Sequence, residues 1–275
     1  MAQLYDGVWR DTAPAAEEIG DDGRFRRIES PLRSWIQADP DAEFPAEAGR
    51  YHVFVAWVCP WASRVTAVRV LKGLEEVISM SAAAPTIGRE GWIFEETIAP
   101  FEAPHPLYRV YQEHDAHYTG KATVPTLWDK KTGRIVNNES ADIVRMLNGA
   151  FDRITGNRLD LYPEHLRGEI DRWNDRIYPG LNNGVYRAGF ASTQSAYEEA
   201  ARDARRLGEA VDKAEWFAGP QTVNAFYSPD RNEAFVPIEN VKVFRGPHIG
   251  HEVATESPCP QRRRLARPAD VNGNE

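Results

Sequence analysis

The sequence predicts an α/β domain followed by an all-α domain. Residues 51–82 show the pattern of a strand, a helix and a second strand, and residues 123–147 that of a β-hairpin followed by a helix. From Tyr162 onward the composition becomes helical. Alternating strands and helices indicate a sheet with helices packed on it, whereas a helical segment buries its apolar face against other helices.

The first unit begins with a strand over residues 51–56, which are rich in β-branched and aromatic side chains. A helix follows over 61–73, because Ala62, Val65 and Val68 recur at helical spacing. Pro60 suits the first helical turn, where its missing N–H costs nothing. Residues 77–82 provide the second strand.

The second unit begins with a strand over residues 123–128 that contains Pro125. A turn at 130–133 leads to a returning strand at 134–136. Ser140 is the expected N-cap of a helix over 141–147. Strand, helix and strand followed by strand, strand and helix is the order of the thioredoxin fold, so this domain is predicted to be thioredoxin-like.

These units predict the organisation of the whole chain. We expect an extended N-terminal arm over 1–45, whose residues 23–36 pack on the domain surface, and a thioredoxin-like domain over 46–150. A partial helical domain follows over 160–218, with helices at 163–178 and 194–216. The remainder, 219–275, carries seven prolines and is predicted to be irregular, with short strand-like pieces at 234–237 and 241–244.

Composition and charge narrow the functional classes. The chain has 275 residues, 42% of them hydrophobic and 27% charged, which are ordinary proportions for a soluble globular protein. A net charge of −8 argues against nucleic acid or an anionic membrane as partner. No apolar run is long enough for a transmembrane helix, and the first residues lack the features of a signal peptide. We therefore expect a cytoplasmic protein.

Cys59 is the candidate nucleophile. It lies at the predicted junction of strand and helix, where the helix N-terminus stabilises a thiolate, the form that attacks other sulfur atoms. Position +3 holds Ala62, so there is no resolving thiol in the motif, and an external thiol would have to resolve a mixed disulfide. The competing interpretation is a buried, inert cysteine. Two cysteines 200 positions apart are no disulfide framework, and a reducing cytosol disfavours a bond between them, so Cys259 is treated first as a separate thiol.

Two further features suit a thiol site. A proline at the position of Pro125 in a thioredoxin-like domain is usually cis and leaves the backbone of Val124 free to pair with an extended ligand; the alternative is a strand-edge proline. Glu139 and Ser140 begin a helix and suit the ammonium and carboxylate of a γ-glutamyl group, although plain helix capping explains them equally well. The seven histidines show no metal-site pattern, and no metal is expected.

Six segments of the sequence together carry a family resemblance. They are residues 23–36, Cys59-Pro60-Trp61-Ala62, 91–94, 118–129, 137–140 and 184–190. In this ordered set the chain resembles the glutathionyl-hydroquinone reductases, which are the Xi class of glutathione transferases. The resemblance implies a thioredoxin-like domain followed by an all-α domain of the glutathione-transferase type, and a homodimer.

The resemblance also implies an activity, the reduction of glutathionyl-hydroquinones to hydroquinones with glutathione as co-substrate. Cys59 would attack the glutathionyl sulfur and become a mixed disulfide, which a second glutathione would release. The implied glutathione-binding residues are Trp92, Lys121, Val124, Pro125, Glu139 and Ser140. Tyr186 would face the aromatic part of the substrate. Without the family pattern, core packing would explain Trp92 and Tyr186.

The resemblance ends near residues 213–217. Members of the family continue through further helices with a second active-site tyrosine, whereas residues 220–275 do not resemble that region. A truncated or frame-shifted gene product and a divergent end both account for this difference. Two other functions therefore stay open: a broader monothiol transferase or dehydroascorbate reductase on the same scaffold, and an inactive glutathione-binding remnant.

Overall fold

A four-stranded sheet forms the centre of the computed structural model, which describes residues 2–11, 18–210, 226–228 and 233–235. The strands are β1 (Gln3–Tyr5), β2 (Val8–Arg10), β3 (Ile36–Gln37), β4 (Phe44–Pro45), β5 (Tyr51–Val55), β6 (Ser79–Ala82), β7 (Ile93–Phe94), β8 (His105–Pro106), β9 (Thr126–Asp129), β10 (Arg134–Asn137), β11 (Phe226–Ser228) and β12 (Glu233–Phe235). The helices are α1 (Pro60–Leu71), α2 (Tyr108–His114), α3 (Ser140–Gly149), α4 (Asp152–Thr155), α5 (Arg167–Ile177), α6 (Gly184–Gly189) and α7 (Gln194–Ala210).

The central sheet has the strand order β10-β9-β5-β6. Strand β5 pairs with β6 in parallel and with β9 antiparallel, and β9 pairs antiparallel with β10. The helix α1 connects the two parallel strands, and α3 follows the hairpin. This arrangement confirms the predicted thioredoxin-like fold.

The sheet divides the core into two apolar clusters. Along β5 the side chains alternate, so Val53 and Val55 join the cluster beneath α1 and α3, while Phe54 joins the cluster on the other face. The latter contains Val110 of α2 and the fully buried Trp128. Burying one such large apolar side chain contributes on the order of 2 kcal/mol, so the sheet is held on both faces.

The N-terminal segment differs from the extended arm that the sequence predicted. Residues 3–10 form the β1–β2 hairpin, whose turn is Asp6-Gly7, both with positive φ (48° and 71°). This dipeptide is a favoured two-residue hairpin turn, a local signal that the prediction overlooked. Leu4 is fully buried and exchanges two backbone hydrogen bonds with Gly120, at 2.9 and 3.0 Å, which ties the hairpin to the domain.

Residues 18–35, which we call the strap, run across both parts of the molecule. The Gly23 carbonyl accepts a hydrogen bond from the Ser192 N–H at 3.0 Å, and Arg24 pairs with Glu199 of α7 at 2.6 Å. On the other side, Arg33 Nη2 donates to Asp142 of α3 at 2.9 Å. The strap therefore does more than pack on one domain surface, because it fixes α3 and α7 relative to each other.

Residues 164–210 are mainly helical, as the sequence predicted, but the helices have different bounds. A 3-10 turn (Glu164–Leu166) precedes α5, and a π-helical turn (Tyr178–Asn182) follows it, where Pro179 cannot donate a backbone hydrogen bond. The helix predicted at 194–216 is described as far as Ala210. The strand piece predicted at 234–237 overlaps β12, and the piece at 241–244 lies outside the described residues. Within the described part, no helix is both long and apolar enough to cross a bilayer.

Candidate active site

Cys59 occupies the junction between the central sheet and α1. Its φ and ψ of −90° and 113° are extended, and the helix begins at Pro60. Proline suits this first position because a backbone N–H there would have no partner within the helix. The Cys59 thiol donates to the Val124 carbonyl oxygen at 3.4 Å, and the Val124–Pro125 peptide bond is cis. The fold thus brings together two segments that are 65 residues apart, as the sequence predicted. The Val124 carbonyl is not free, because the thiol occupies it.

Burial and local donors act in opposite directions on Cys59. Burial raises the pKa of its thiol above the ordinary value, while hydrogen bonding with the backbone N–H groups of Ala62 and Trp61 and the charges of Arg27 and Arg64 lower it. The raised pKa is the net result. The helix N-terminus therefore favours the thiolate as predicted, but the apolar surroundings outweigh it in this structure.

A cleft of about 550 Å³ opens at Val124, the hydrogen-bond partner of Cys59, although neither Cys59 nor Tyr186 itself lines it. Five of the predicted residues line it: Lys121, Val124, Pro125, Glu139 and Ser140. Its wall also includes strap residues and Trp61, which comes from the first turn of α1. The cleft is therefore bounded by the segment that leads into β9, by the first turns of α1 and α3, and by the strap. Trp92 is not among its lining residues; it is half-buried against the apolar cluster that contains Phe54.

The start of α3 is organised around a buried arginine. Arg64 donates to the Ser140 hydroxyl from Nε at 3.0 Å and from Nη2 at 2.6 Å, and its Nη2 lies 3.6 Å from Glu139 Oε1. Ser140 is 2% exposed, so its hydroxyl is not open to the cleft. The expectation that this hydroxyl holds a ligand carboxylate directly is therefore not supported by its placement.

The N-cap of α3 is Glu139, not Ser140. The Glu139 side chain accepts a hydrogen bond from the Ala141 N–H at 3.1 Å through Oε1, and Ser140 is already the first helical residue. The prediction was wrong by one position, because Ser is a common N-cap residue and Glu is a rare one. The other carboxylate oxygen, Oε2, makes no hydrogen bond within the described residues.

Lys121 lines the cleft but is already paired. Its ammonium binds the carboxylate of Glu18, a strap residue whose side chain is only 5% exposed. A ligand carboxylate would have to share this ammonium with Glu18. Among the described residues, no group of three or more His, Cys, Asp or Glu side chains is placed to hold a metal ion.

Tyr186 lies in an aromatic group behind the cleft wall. Its hydroxyl oxygen accepts a hydrogen bond from Trp61 Nε1 at 3.0 Å, and the two rings stack with centroids 6.2 Å apart. Burial raises the pKa of Tyr186, and Trp61 and Arg27 lower it. The hydroxyl is thus protonated at neutral pH and is held next to the motif that carries Cys59.

Sequence reasoning missed Arg27, Arg64 and Tyr178 as parts of this site. Arg27 sits 4.4 Å from the Tyr186 ring centroid, and Tyr178 packs on Trp61 with centroids 5.8 Å apart. Arg64 could have been suspected, since it falls on the buried face of the predicted helix 61–73. No local signal separates Arg27 from its neighbours Arg24 and Arg26.

Comparisons with known proteins agree with this geometry. Residues 58–150 match the family model described as the glutathione S-transferase N-terminal domain. The chain is 49% identical over 204 residues to the glutathionyl-hydroquinone reductase PcpF of Sphingobium chlorophenolicum, covering 73% of this chain and 63% of that protein. It is 42% identical over 240 residues to the glutathionyl-hydroquinone reductase YqjG of Escherichia coli, covering 82% of this chain and 73% of that protein.

Solved structures give the same result. The glutathione-bound structure of YqjG matches with a TM-score of 0.63 and 41% identity, over 75% of this chain and 65% of that one. A glutathione transferase Xi from Phanerochaete chrysosporium matches with a TM-score of 0.64 and 44% identity, over 69% and 63% of the two chains. The chain therefore spans between about three fifths and three quarters of the length of these relatives.

Proposed function

The chain belongs to the glutathionyl-hydroquinone reductases, the Xi class of the glutathione transferases, and from this membership we propose that it reduces glutathionyl-hydroquinones to free hydroquinones with glutathione as co-substrate. One observation carries the proposal. Cys59 sits at the N-terminus of α1 against the Val124 carbonyl, with Ala62 in place of a second cysteine. This is a site for a monothiol exchange.

In the proposed reaction the Cys59 thiolate attacks the sulfur of the glutathionyl group. The sulfur–carbon bond to the aromatic ring breaks, and the hydroquinone leaves after its ring carbon takes up a proton. Cys59 is left as a mixed disulfide with glutathione. The thiolate of a second glutathione then attacks that disulfide and restores Cys59, because the chain offers no resolving thiol at position 62.

The glutathione moiety is proposed to lie along the cleft. Its cysteinyl part would pair with the backbone at Val124, next to the cis Pro125, because the Val124 carbonyl is released once Cys59 is a thiolate and no longer donates to it. Its ammonium would bind the unpaired Oε2 of Glu139, and its γ-glutamyl carboxylate would meet the N–H of Ser140, the first residue of α3. Arg64, through Ser140, adds positive charge beneath that carboxylate. Lys121 would bind the second carboxylate while sharing its charge with Glu18.

Trp92 and Tyr186 are proposed to act on either side of the reacting sulfur. Trp92 and Cys59 pack against the same apolar cluster. Trp92 would therefore support the site through this cluster rather than by lining the cleft. Tyr186 would face the aromatic ring of the substrate. The stack of Trp61, Tyr186 and Phe190, with successive centroids 6.2 and 6.3 Å apart, offers a surface that suits a planar ring.

We further propose that the protein is a cytoplasmic homodimer. The dimer is what the family resemblance implies, and light scattering of the purified protein measures it directly. A cytoplasmic place suits the chemistry, because regenerating Cys59 needs a pool of reduced glutathione.

The test is a steady-state assay with purified protein, a glutathionyl-hydroquinone and glutathione, in which free hydroquinone is followed by chromatography. We expect release beyond one equivalent to require glutathione, and all release to disappear in Cys59→Ala. Turnover of small mixed disulfides or dehydroascorbate without hydroquinone release would instead indicate the broader monothiol transferase. A protein that binds glutathione but turns over neither the glutathionyl-hydroquinone nor these other substrates would be an inactive remnant.

A further inference from the structure

Arg27 of the strap enters the aromatic group around Tyr186. Its Nε donates to Asn183 Oδ1 at 3.0 Å, which fixes the plane of the guanidinium. The central carbon, Cζ, lies 4.4 Å from the ring centroid of Tyr186 and 5.5 Å from that of Trp61. Contact of a guanidinium with ring faces is attractive, and it is worth most where water is excluded.

The neighbouring arginines of the strap behave differently. Arg24 pairs with Asp22 and Glu199, and Arg26 pairs with Asp22, all through largely exposed side chains. Arg27 has no carboxylate partner within the described residues, and its Nη2 is buried without a hydrogen bond. A buried donor of a charged group that lacks a hydrogen-bond partner is costly, and this one belongs to a residue that lines the cleft, which points to a function there.

The hydrogen bonding of Tyr186 suggests what that function is. Trp61 Nε1 can only donate, so the Tyr186 oxygen is the acceptor in their 3.0 Å bond. The phenolic proton is therefore not used in that bond and can be given to a ligand. If Tyr186 loses this proton, its oxygen gains a negative charge beside the Trp61 N–H and the Arg27 guanidinium.

We propose that Arg27 is a positioning residue that holds Tyr186 as the proton donor to the aromatic leaving group. The inference rests on the proposed hydroquinone-releasing function. The strap thereby contributes to the chemistry as well as to the packing of the two parts of the molecule.

The proton and electron balance of the step closes. The Cys59 thiolate forms a sulfur–sulfur bond with the glutathionyl group, and the electron pair of the broken carbon–sulfur bond goes to the ring carbon. That carbon takes the proton of Tyr186, which becomes a phenolate. The incoming glutathione gives its thiol proton to Tyr186, and its thiolate releases Cys59 as glutathione disulfide. The sum is one conjugate and one glutathione converted to one hydroquinone and one glutathione disulfide.

The charges around the group fit this sequence. Tyr186 is faced by Cys59 from the start of α1 and by Arg27 from the strap, and burial raises its pKa while Trp61 and Arg27 lower it. The acidic residues of α7, Glu199 and Asp203, are turned toward Arg187 at 3.2 and 2.9 Å. Arg27 is thus the cation placed to stabilise a negative charge on the Tyr186 oxygen.

The experiment compares two substrates in single turnover. The first is a glutathionyl-hydroquinone, whose ring carbon needs a proton to leave. The second is a mixed disulfide of glutathione with an acidic aromatic thiol, which leaves as a thiolate. The ratio of the two rates cancels any change in the thiolate fraction of Cys59, because both reactions begin with the same attack.

We expect Arg27→Met to lower this ratio about 10- to 100-fold, the range in which a positioned proton donor contributes. Arg27→Lys, which keeps the charge, should recover part of the loss. The matched control Arg26→Met removes a neighbouring exposed arginine and should leave the ratio unchanged. Tyr186→Phe should lower the ratio in the same way, and Arg27→Met should then add no further loss, because both act through one proton.

Two results would overturn the inference: an unchanged ratio in Arg27→Met, whether both rates fall equally or neither falls, or multiplicative losses in the double variant. Direct binding of glutathione, equal to that of the unmodified protein, shows that a variant is folded, and Arg27→Lys repeats the test if Arg27→Met does not fold. If the unmodified protein reduces the mixed disulfide but releases no hydroquinone, the proposed function has failed instead.

Discussion

The two sides of the cleft differ in what positions their functional groups. On the glutathione side, Val124, Glu139 and Ser140 stand where a strand and a helix begin, so regular backbone fixes them. On the aromatic side, Arg27, Trp61 and Tyr186 come from the strap, α1 and α6, and contacts between their side chains hold them together. The glutathione side is therefore preorganised by the fold, whereas the aromatic side depends on tertiary packing.

The difference predicts separable effects of mutation. Changes on the glutathione side should alter affinity for every glutathione conjugate, since all of them share that moiety. Changes on the aromatic side should alter the rate with hydroquinone substrates and leave glutathione affinity nearly intact. Cys59 stands at the boundary, half-buried against the apolar clusters on both faces of the sheet, and should affect all turnover.

The largest effect is expected for Cys59→Ser. We expect turnover to fall by about 10⁴-fold or more, as for removal of other catalytic nucleophiles, because a serine hydroxyl cannot form the mixed disulfide. Glutathione should still bind, since no other cleft contact is changed. Steady-state kinetics together with calorimetric titration of glutathione measures both. Turnover that survives this substitution would remove Cys59 from the mechanism.

Tyr186→Phe should come next. We expect hydroquinone release to slow about 10²-fold, the loss typical of a general acid, with little change in glutathione affinity. Tyr178→Phe is a matched control, because Tyr178 also packs on Trp61, with centroids 5.8 Å apart, but has no proposed role in proton transfer and should matter far less. Equal losses in the two variants would show that the Tyr186 hydroxyl has no special role in proton transfer.

Glu139→Gln tests the glutathione side. Glutamine keeps the side-chain oxygen that caps α3 and removes the charge proposed to bind the ammonium. We expect affinity for glutathione to fall about tenfold, in line with about 1.5 kcal/mol for a hydrogen bond to a charged group. A glutathione analogue without the α-amino group should bind the two proteins equally. If the analogue still separates them, Glu139 acts on α3 rather than on the ligand.

The smallest effect concerns the pH dependence of Cys59. Burial raises its thiol pKa, so in a Cys259→Ser background alkylation by iodoacetamide should be slower than that of a free thiol at neutral pH. The rate should rise with pH and reach its plateau above the value for free cysteine. Mass spectrometry of the alkylated peptide follows the reaction. A plateau below that value would show that the helix N-terminus and the two arginines outweigh burial.

Much of the glutathione side could be predicted from the sequence because it follows local rules. Strand composition, the proline after Cys59 and the helix after residue 139 are short-range signals, and their order along the chain indicates the fold. The cap at Glu139 was misplaced by one residue, since capping preferences rank Ser above Glu. The Ser140 hydroxyl, expected to hold a carboxylate, is instead bound by Arg64, a contact between distant segments that no local rule indicates.

The aromatic side could be predicted only in part, because its contacts join distant segments. Arg27 and Asn183 are 156 positions apart, and Trp61 and Tyr186 are 125 apart. Arg24, Arg26 and Arg27 look alike in the sequence, and only the folded strap shows which one leaves the surface. Family resemblance pointed to Tyr186, whereas its hydrogen bond from Trp61 and the Arg27 guanidinium over its ring became visible only in the structure.

The most direct test of the central claim is a single turnover without added glutathione. One equivalent of a glutathionyl-hydroquinone is mixed with the reduced protein, and both the released ring compound and the intact protein mass are measured. We predict one equivalent of hydroquinone and one glutathionyl group on the peptide that contains Cys59, removable by glutathione. Hydroquinone released without that modification, or the modification found on Cys259 instead, would contradict the account.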